Sequence, residues 1–189
     1  YNLGLIYDDL GDYEKALSHF QESLVIRKAI NDKNGAASTE LALGETYFTL
    51  YDYEKALRHF MEALSIATEI DNKWSLISAM LSIGDIYLAM DQYGKVLQYL
   101  NGAQEMAREI NSKALTARSY HSLSEYYESI NENKTALDYF KLYAALNDSI
   151  YNDETSKQIT AMQTLYETEK KDKEIQLQRA EIKGNEAEL

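Results

Sequence analysis

The sequence predicts an all-α protein, an α-α superhelix of four 40-residue helix-turn-helix repeats followed by a long C-terminal helix. Three observations lead to this prediction. The nonapeptide DYEKALSHF at residues 12–20 returns as DYEKALRHF at residues 52–60. The 189 residues include no proline, which costs roughly 3 kcal/mol inside a helix. Apolar residues recur at the three- and four-residue spacing of amphipathic helices.

The repeat stays in register through four copies without an insertion. One aligned position has glycine in three copies and serine in the fourth, and others keep tyrosine, a small apolar residue or a large apolar residue. These positions are Gly4, Gly44, Gly84 and Ser124; Tyr7, Tyr47, Tyr87 and Tyr127; Ala16, Ala56, Val96 and Ala136; and Phe20, Phe60, Leu100 and Phe140. Conserved spacing of this kind indicates a repeated structural unit with a shared core.

The repeats are expected at about 1–33, 34–73, 74–113 and 114–150, together forming one domain over 1–150. Each contains two apolar stripes separated by a short polar break, which predicts an antiparallel helix pair. Asp12, Asp52 and Asp91 are predicted to cap the second helices at their N-termini. The stretches NDKNG, DNKWS and NSKAL are predicted to be the loops between repeats.

Residues 151–189 are predicted to form a capping helix that extends into a charged linker. Ile159, Met162, Leu165 and Tyr166 lie at helical spacing and could cover the end of the fourth repeat. After the charged segment 167–174, Ile175, Ile182 and Leu189 recur every seven residues. Their would-be partners are the charged residues Asp172, Arg179 and Glu186, so the coiled-coil pattern is weak. A homodimer through 167–189 and a projecting single helix both remain open.

At this point the residues resemble a known family. The second repeat is similar to the tetratricopeptide repeat (TPR), whose signature positions are filled by Leu43, Gly44, Tyr47, Ala56, Phe60 and Ala63. The period is 40 rather than the usual 34, and the proline common after the second helix is absent. Together these departures imply that both helices are longer by about one turn of roughly 3.6 residues. The resemblance implies a TPR-like solenoid that binds a protein or peptide.

The fourth repeat and the tail resemble the end of the TPR region in bacterial two-component histidine kinases and TPR transcription regulators. The resemblance implies that the chain is the sensory or interaction region of a larger bacterial signalling protein. A passive scaffold or adaptor, and the TPR region of a DNA-binding regulator, are the alternatives. Either the bacterial periplasm or the cytoplasm would fit, and the localisation is open.

Composition argues against several classes of function. A formal net charge of −12 argues against binding of nucleic acid or an anionic membrane surface through charge. There is no cysteine, no glycine-rich phosphate loop and no metalloprotease motif. His19 and His59 are repeat equivalents, and Tyr99 and Tyr139 occupy the same position, which favours a structural role over metal binding. We therefore expect no enzymatic activity, cofactor or metal in this chain.

The resemblance places the binding surface on the first helix of each repeat. One position there is acidic in three copies, as Glu45, Asp85 and Glu125, and further groove positions are apolar or polar. The predicted groove residues are Leu41, Glu45, Phe48, Leu81, Asp85, Leu88, Arg118, His121, Glu125 and Glu128. An apolar middle edged by carboxylates would suit a basic or amphipathic segment. Alternatively, the carboxylates only solvate these helices or pair with nearby lysines.

Two further features bear on the partner. TPR domains that clamp a C-terminal carboxylate need lysine and asparagine along the groove, whereas here only Arg118 has the required charge. Trp74, the only tryptophan, stands where the neighbouring repeats have Asn34 and Ala114. We expect it to fill the junction with the preceding repeat, with an exposed anchor at the groove edge as the alternative.

Overall fold

The computed structural model describes the backbone of residues 1–187, and the side chains of 1–153 with scattered positions beyond. The described chain folds into eight helices without a strand, as the repeat pattern predicts. The helices are α1 (Asn2–Asp9), α2 (Tyr13–Ala29), α3 (Lys33–Thr49), α4 (Tyr53–Glu69), α5 (Lys73–Ala89), α6 (Tyr93–Glu109), α7 (Lys113–Ser129) and α8 (Asn133–Ala187). Odd-numbered helices are the first, and even-numbered helices the second, of each pair.

Helices α2 to α7 are each 17 residues long, and three-residue connections join consecutive helices. The middle residue of every connection has a positive φ, from Gly11 to Asn131. At the end of α3, for example, Tyr51 has φ 59°, and the N–H of Asp52 donates to the carbonyl of Tyr47. This pattern is the Schellman motif, which satisfies carbonyls at a helix end. The predicted loops were too long, because Lys33, Lys73 and Lys113 already begin helices.

The helix starts are capped by short polar side chains. Asp12, Asp32 and Asp52 each accept a hydrogen bond from a backbone N–H in the first turn, as do Asn72 and Ser112 in later repeats. The prediction of Asp91 as a cap was wrong. Asp91 occupies the positive-φ position, the N-cap of α6 is Gln92, and Gln92 makes no capping bond.

Each second helix packs closely against its first helix where the repeat carries glycine. A Cβ atom built on Gly44 would lie 2.5 Å from Cε1 of Phe60, whose side chain is fully buried. Gly4 faces Phe20 in the same way. Helix α3 also packs against α5, and α5 against α7, so the first helices form a continuous layer.

Residues Tyr1–Leu146 form one compact unit, and the chain from Asn147 onward forms another. A domain boundary is predicted near residue 150, and α8 runs through that point as one helix. Of the predicted seven-residue series, Ile175 is 45% exposed, and the other members lie outside the described side chains. The predicted capping residues Ile159, Met162, Leu165 and Tyr166 also lie outside the described side chains.

Within the described residues, no helix combines the length and apolarity needed to cross a bilayer.

Candidate binding groove

The layer of first helices contains a cavity of about 640 Å³, which we call the groove cavity. Residues of α1, α3, α5 and α7 line it, together with Phe20 of α2. Its lining is Tyr1, Leu5, Asp8, Phe20, Ser38, Leu41, Ala42, Glu45, Trp74, Ser78, Ala114, Leu115 and Arg118. A mostly apolar cavity of several hundred Å³ with a few convergent polar groups is typical of a ligand site.

The lining follows the repeat register. Ser38, Ser78 and Arg118 occupy the same position in three consecutive first helices, and Asn34, Trp74 and Ala114 occupy another one turn earlier. Residues four apart lie on one face of a helix, so both positions are directed toward the cavity. The copies differ at these positions, which makes them candidates for specificity.

Arg118 lies at the centre of the polar part of the groove. Its Nη2 donates to the Ser82 hydroxyl at 2.8 Å and to Oδ2 of Asp85 at 3.2 Å. The same nitrogen is 3.5 Å from Oε1 of Glu45, which also accepts a hydrogen bond from Ser82 at 2.8 Å. Carboxylates from two different repeats are thus held by one guanidinium from a third. Glu45 and Asp85 are thus paired, but with Arg118 and not with the lysines that the sequence suggested.

Two buried polar atoms near Arg118 have no hydrogen-bond partner in the described part of the chain: Oγ of Ser78 and Oδ1 of Asp85. Ser78 is only 4% exposed and lines the cavity. A buried polar group without a partner costs on the order of 1–3 kcal/mol, so such groups often mark places where a ligand binds.

Glu125 continues the acidic row on α7. Burial raises the pKa of its carboxyl group, His121 opposes that rise, and the negative charges of Asp85 and Glu128 add to it. Nδ1 of His121 lies 3.4 Å from Oε2 of Glu125. Negative charge is therefore crowded at this end of the groove beyond what Arg118 neutralises.

The structure separates the predicted groove residues into three groups. Leu41, Glu45 and Arg118 line the cavity, and Asp85 joins them through Arg118. His121, Glu125 and Glu128 form the acidic end. Leu81 was misplaced: it is fully buried in the core, so a ligand cannot reach it. Phe48 and Leu88 also pack against the core and do not line the cavity.

Trp74 lines the groove cavity and is 57% exposed. The expectation that it fills the junction between repeats was wrong, since a side chain that fills a junction would be buried.

Ser78 lines the groove cavity and was not predicted from the sequence. The available clue was its alignment with Arg118, which is itself part of the predicted groove.

The histidines of the second helices are packing residues. His59 stacks on Tyr47 with ring centroids 5.3 Å apart, and His19 stacks on Tyr7 at 5.4 Å. In the fourth pair Tyr139 stacks on Tyr127 at 5.5 Å in the same position. Among the described residues no cluster of three histidine, aspartate or glutamate side chains could hold a metal ion.

A solenoid of stacked antiparallel helix pairs defines the class of helical repeat proteins. The family model described as "Tetratricopeptide repeat" matches residues 1–69 and 75–148. The chain belongs to the tetratricopeptide repeat family, whose repeats are protein-interaction modules rather than catalytic ones. A search of curated protein sequences finds no significant match.

Solved structures share the fold. A Rap protein in complex with Competence and Sporulation Factor is 20% identical with a TM-score of 0.72, over 79% of this chain and 42% of that one. The TPR domain of Arabidopsis FLU is 18% identical with a TM-score of 0.57, over 62% of this chain and 98% of that domain. A signal-transduction ATPase (STAND) with a TPR sensor from Pyrococcus horikoshii is 26% identical with a TM-score of 0.68, over 80% and 24%. The chain thus spans less than half of the Rap protein and about a quarter of the STAND protein.

Arg118→Ala is expected to lower the free energy of unfolding by about 1 kcal/mol, because Arg118 and its partners are partly exposed to solvent. A double-mutant cycle with Asp85→Asn, followed by urea denaturation, would measure the coupling of this pair. Arg58→Ala, which removes an exposed cation from α4, should change stability by less than about 0.5 kcal/mol. Purely additive effects of the Arg118 and Asp85 substitutions would show that the pair contributes nothing.

Proposed function

We propose that this chain is the sensory, polypeptide-binding region of a larger bacterial signalling protein, and that the groove cavity is where the signal molecule binds. The observation that carries the proposal is the cavity itself, which combines an exposed tryptophan with a buried hydroxyl group lacking a partner. The related folds support it: one neighbour is a Rap protein bound to Competence and Sporulation Factor, and another has a TPR sensor. The narrower proposal, that the larger protein is a two-component histidine kinase, rests on the resemblance of the fourth repeat and residues 151–189 to such kinases.

Site-specific photocrosslinking tests the groove as a polypeptide-binding site. Ala114 lines the cavity at the position of Trp74 and is exposed, so a p-benzoylphenylalanine side chain there would face a bound partner. The same side chain at Glu105, exposed on the second helix α6, is the control. We expect a polypeptide to crosslink at position 114 and not at 105 in extract of the source organism. Identical products at both positions, or none at 114, would contradict a binding groove.

The signalling role is tested by the gene downstream of codon 189. A membrane span with a kinase domain, or a helix-turn-helix domain, is expected there. A stop codon with crosslinking intact would leave the groove as a binding site and favour a passive scaffold or adaptor instead.

A further inference from the structure

We propose that the groove cavity selects a polypeptide segment in which a large apolar or aromatic side chain stands beside a lysine or arginine. This inference rests on the proposed function of the groove as a polypeptide-binding site and adds the chemistry of the partner. The cavity has an apolar part, a buried hydroxyl group and an acidic end, and each part restricts the partner in a different way.

Trp74 defines the apolar part. Its side chain is 57% exposed, and Leu5, Leu41 and Leu115 line the same cavity. The aligned residues Asn34 and Ala114 are polar or small, so this large apolar surface exists at one repeat only. Tryptophan is enriched among the residues that dominate binding energy, and its ring attracts both apolar side chains and cations. The partner is therefore expected to place a large apolar group here.

Ser78 adds a polar contact beneath that surface. Its repeat equivalent Ser38 donates to the carbonyl of Asn34 in its own helix at 3.1 Å, the usual bond of a helical serine. Ser78 makes no such bond although it is 96% buried, as its 4% exposure shows, and it lines the cavity. Its hydroxyl group can accept from an N–H or donate to a carbonyl of a bound backbone. A polypeptide provides both groups, whereas an apolar small molecule provides neither.

The acidic end requires a cation. Glu45, Asp85 and Glu125 contribute three carboxylates, and Arg118 pairs with the first two of them. Oδ1 of Asp85 is buried without a donor, and a carboxylate oxygen can only accept. Burial raises the pKa of the Glu125 carboxyl group, and the negative charges of Asp85 and Glu128 add to that rise. An ammonium or guanidinium group would supply the missing donor and relieve the crowding.

Trp74 and Ser78 line the cavity, and the carboxylates adjoin it through Arg118. This arrangement fixes the order in which a bound segment meets the apolar surface, the hydroxyl group and the carboxylates. A volume of about 640 Å³ spanning four helices accommodates several side chains rather than one. The apolar and basic residues must therefore be close neighbours in the partner segment.

The experiment is affinity selection of a random peptide library on the purified chain, with Trp74 fluorescence as the readout. Because Trp74 is the only tryptophan, a blue shift of its emission reports occupancy of the cavity. The affinity of each selected peptide is then measured for the wild type and for two double variants. The groove double variant carries Asp85→Asn and Glu125→Gln, and the α6 control carries Glu105→Gln and Glu109→Gln. The last pair removes the same charge from exposed positions of α6.

We expect enriched peptides to pair an aromatic or large apolar residue with lysine or arginine, and to bind the groove double variant roughly tenfold more weakly. The α6 control should bind as the wild type does. Peptides that shift Trp74 emission but lack a basic residue, or bind both double variants equally, would overturn this inference and leave the proposed function standing. Failure to enrich any peptide that shifts Trp74 emission would overturn both. Binding of the apolar dye anilinonaphthalene sulfonate alone would then identify a small-molecule cavity.

Discussion

Replacing Gly44 with alanine is expected to lower the free energy of unfolding by about 2–3 kcal/mol, the upper range for forcing extra volume into a packed core. The added Cβ would lie 2.5 Å from Cε1 and 2.7 Å from Cδ1 of Phe60, far inside van der Waals contact. Phe60 is 0% exposed, so its ring can move only by displacing other core side chains. Urea denaturation followed by circular dichroism measures the change.

Gly94→Ala is the matched control for this substitution. Gly94 lies in α6, and a Cβ atom there would meet no atom within 4 Å. Alanine should therefore raise stability by up to about 1 kcal/mol through its higher helix propensity. Equal effects of the two substitutions would show that the glycine position is not a packing constraint.

The fourth pair shows how this position varies naturally. Ser124 stands where the other repeats have glycine, and its hydroxyl group donates to the carbonyl of Ala136 at 2.9 Å. Phe140, the equivalent of Phe60, is 49% exposed, whereas Phe20 and Leu100 are 1% and 0% exposed. None of the four pairs combines a residue larger than glycine at the position of Gly44 with a fully buried phenylalanine at the position of Phe60.

The core could be predicted because its residues must recur wherever the same two helices cross. Leu43, Ala56 and Phe60 follow from the repeat alignment, and all three are buried. Loop boundaries were less predictable, since a helix start depends on one capping side chain. In the third repeat Asp91 seemed to be the cap, but the positive-φ residue of each connection comes first and the cap follows it.

The groove was predictable in its location but not in its contacts. The acidic positions Glu45, Asp85 and Glu125 follow from one aligned column. The pairing of Glu45 and Asp85 with Arg118, however, joins three repeats and depends on how the helices stack. Leu81 was misplaced because its column holds Leu41 and His121, which are near the groove. The column of Ser38, Ser78 and Arg118, one turn away, contributes the lining residues in three repeats.

A buried ion cluster outside the groove escaped sequence reasoning entirely. Glu40 of α3 is only 2% exposed, and its carboxylate accepts hydrogen bonds from Nζ of Lys28 at 3.0 Å and from Nδ1 of His59 at 2.7 Å. Its repeat equivalents are Met80 and Tyr120, so the column is apolar or aromatic in the other copies. One carboxylate in such a column was the available sign that Glu40 is buried and must be paired.

Glu40→Ala is expected to lower the free energy of unfolding by roughly 2–3 kcal/mol at pH 7. Loss of one partner from a buried ion pair costs about 3–5 kcal/mol. We expect a loss at or below the lower end of that range, because Lys28 is half-exposed and water can solvate it once Glu40 is gone. Glu40→Met, which places the residue of the third repeat at this position, restores the volume and should cost about 1 kcal/mol. Equal losses for the two variants would show that packing contributes nothing to the effect.

The same cluster predicts how stability depends on pH. Burial acts to raise the pKa of Glu40, but the hydrogen bonds from His59 and Lys28 outweigh it, so the folded-state pKa lies below the ordinary value of 4.5. Glu40 therefore stabilises the fold fully above pH 4.5 and loses that contribution as the pH falls through its lower folded-state pKa. In urea titrations at a series of pH values, the stability difference between wild type and Glu40→Met should shrink below pH 4.5. A difference that stays constant from neutral to acidic pH would show that the carboxylate of Glu40 does not stabilise the fold through its charge.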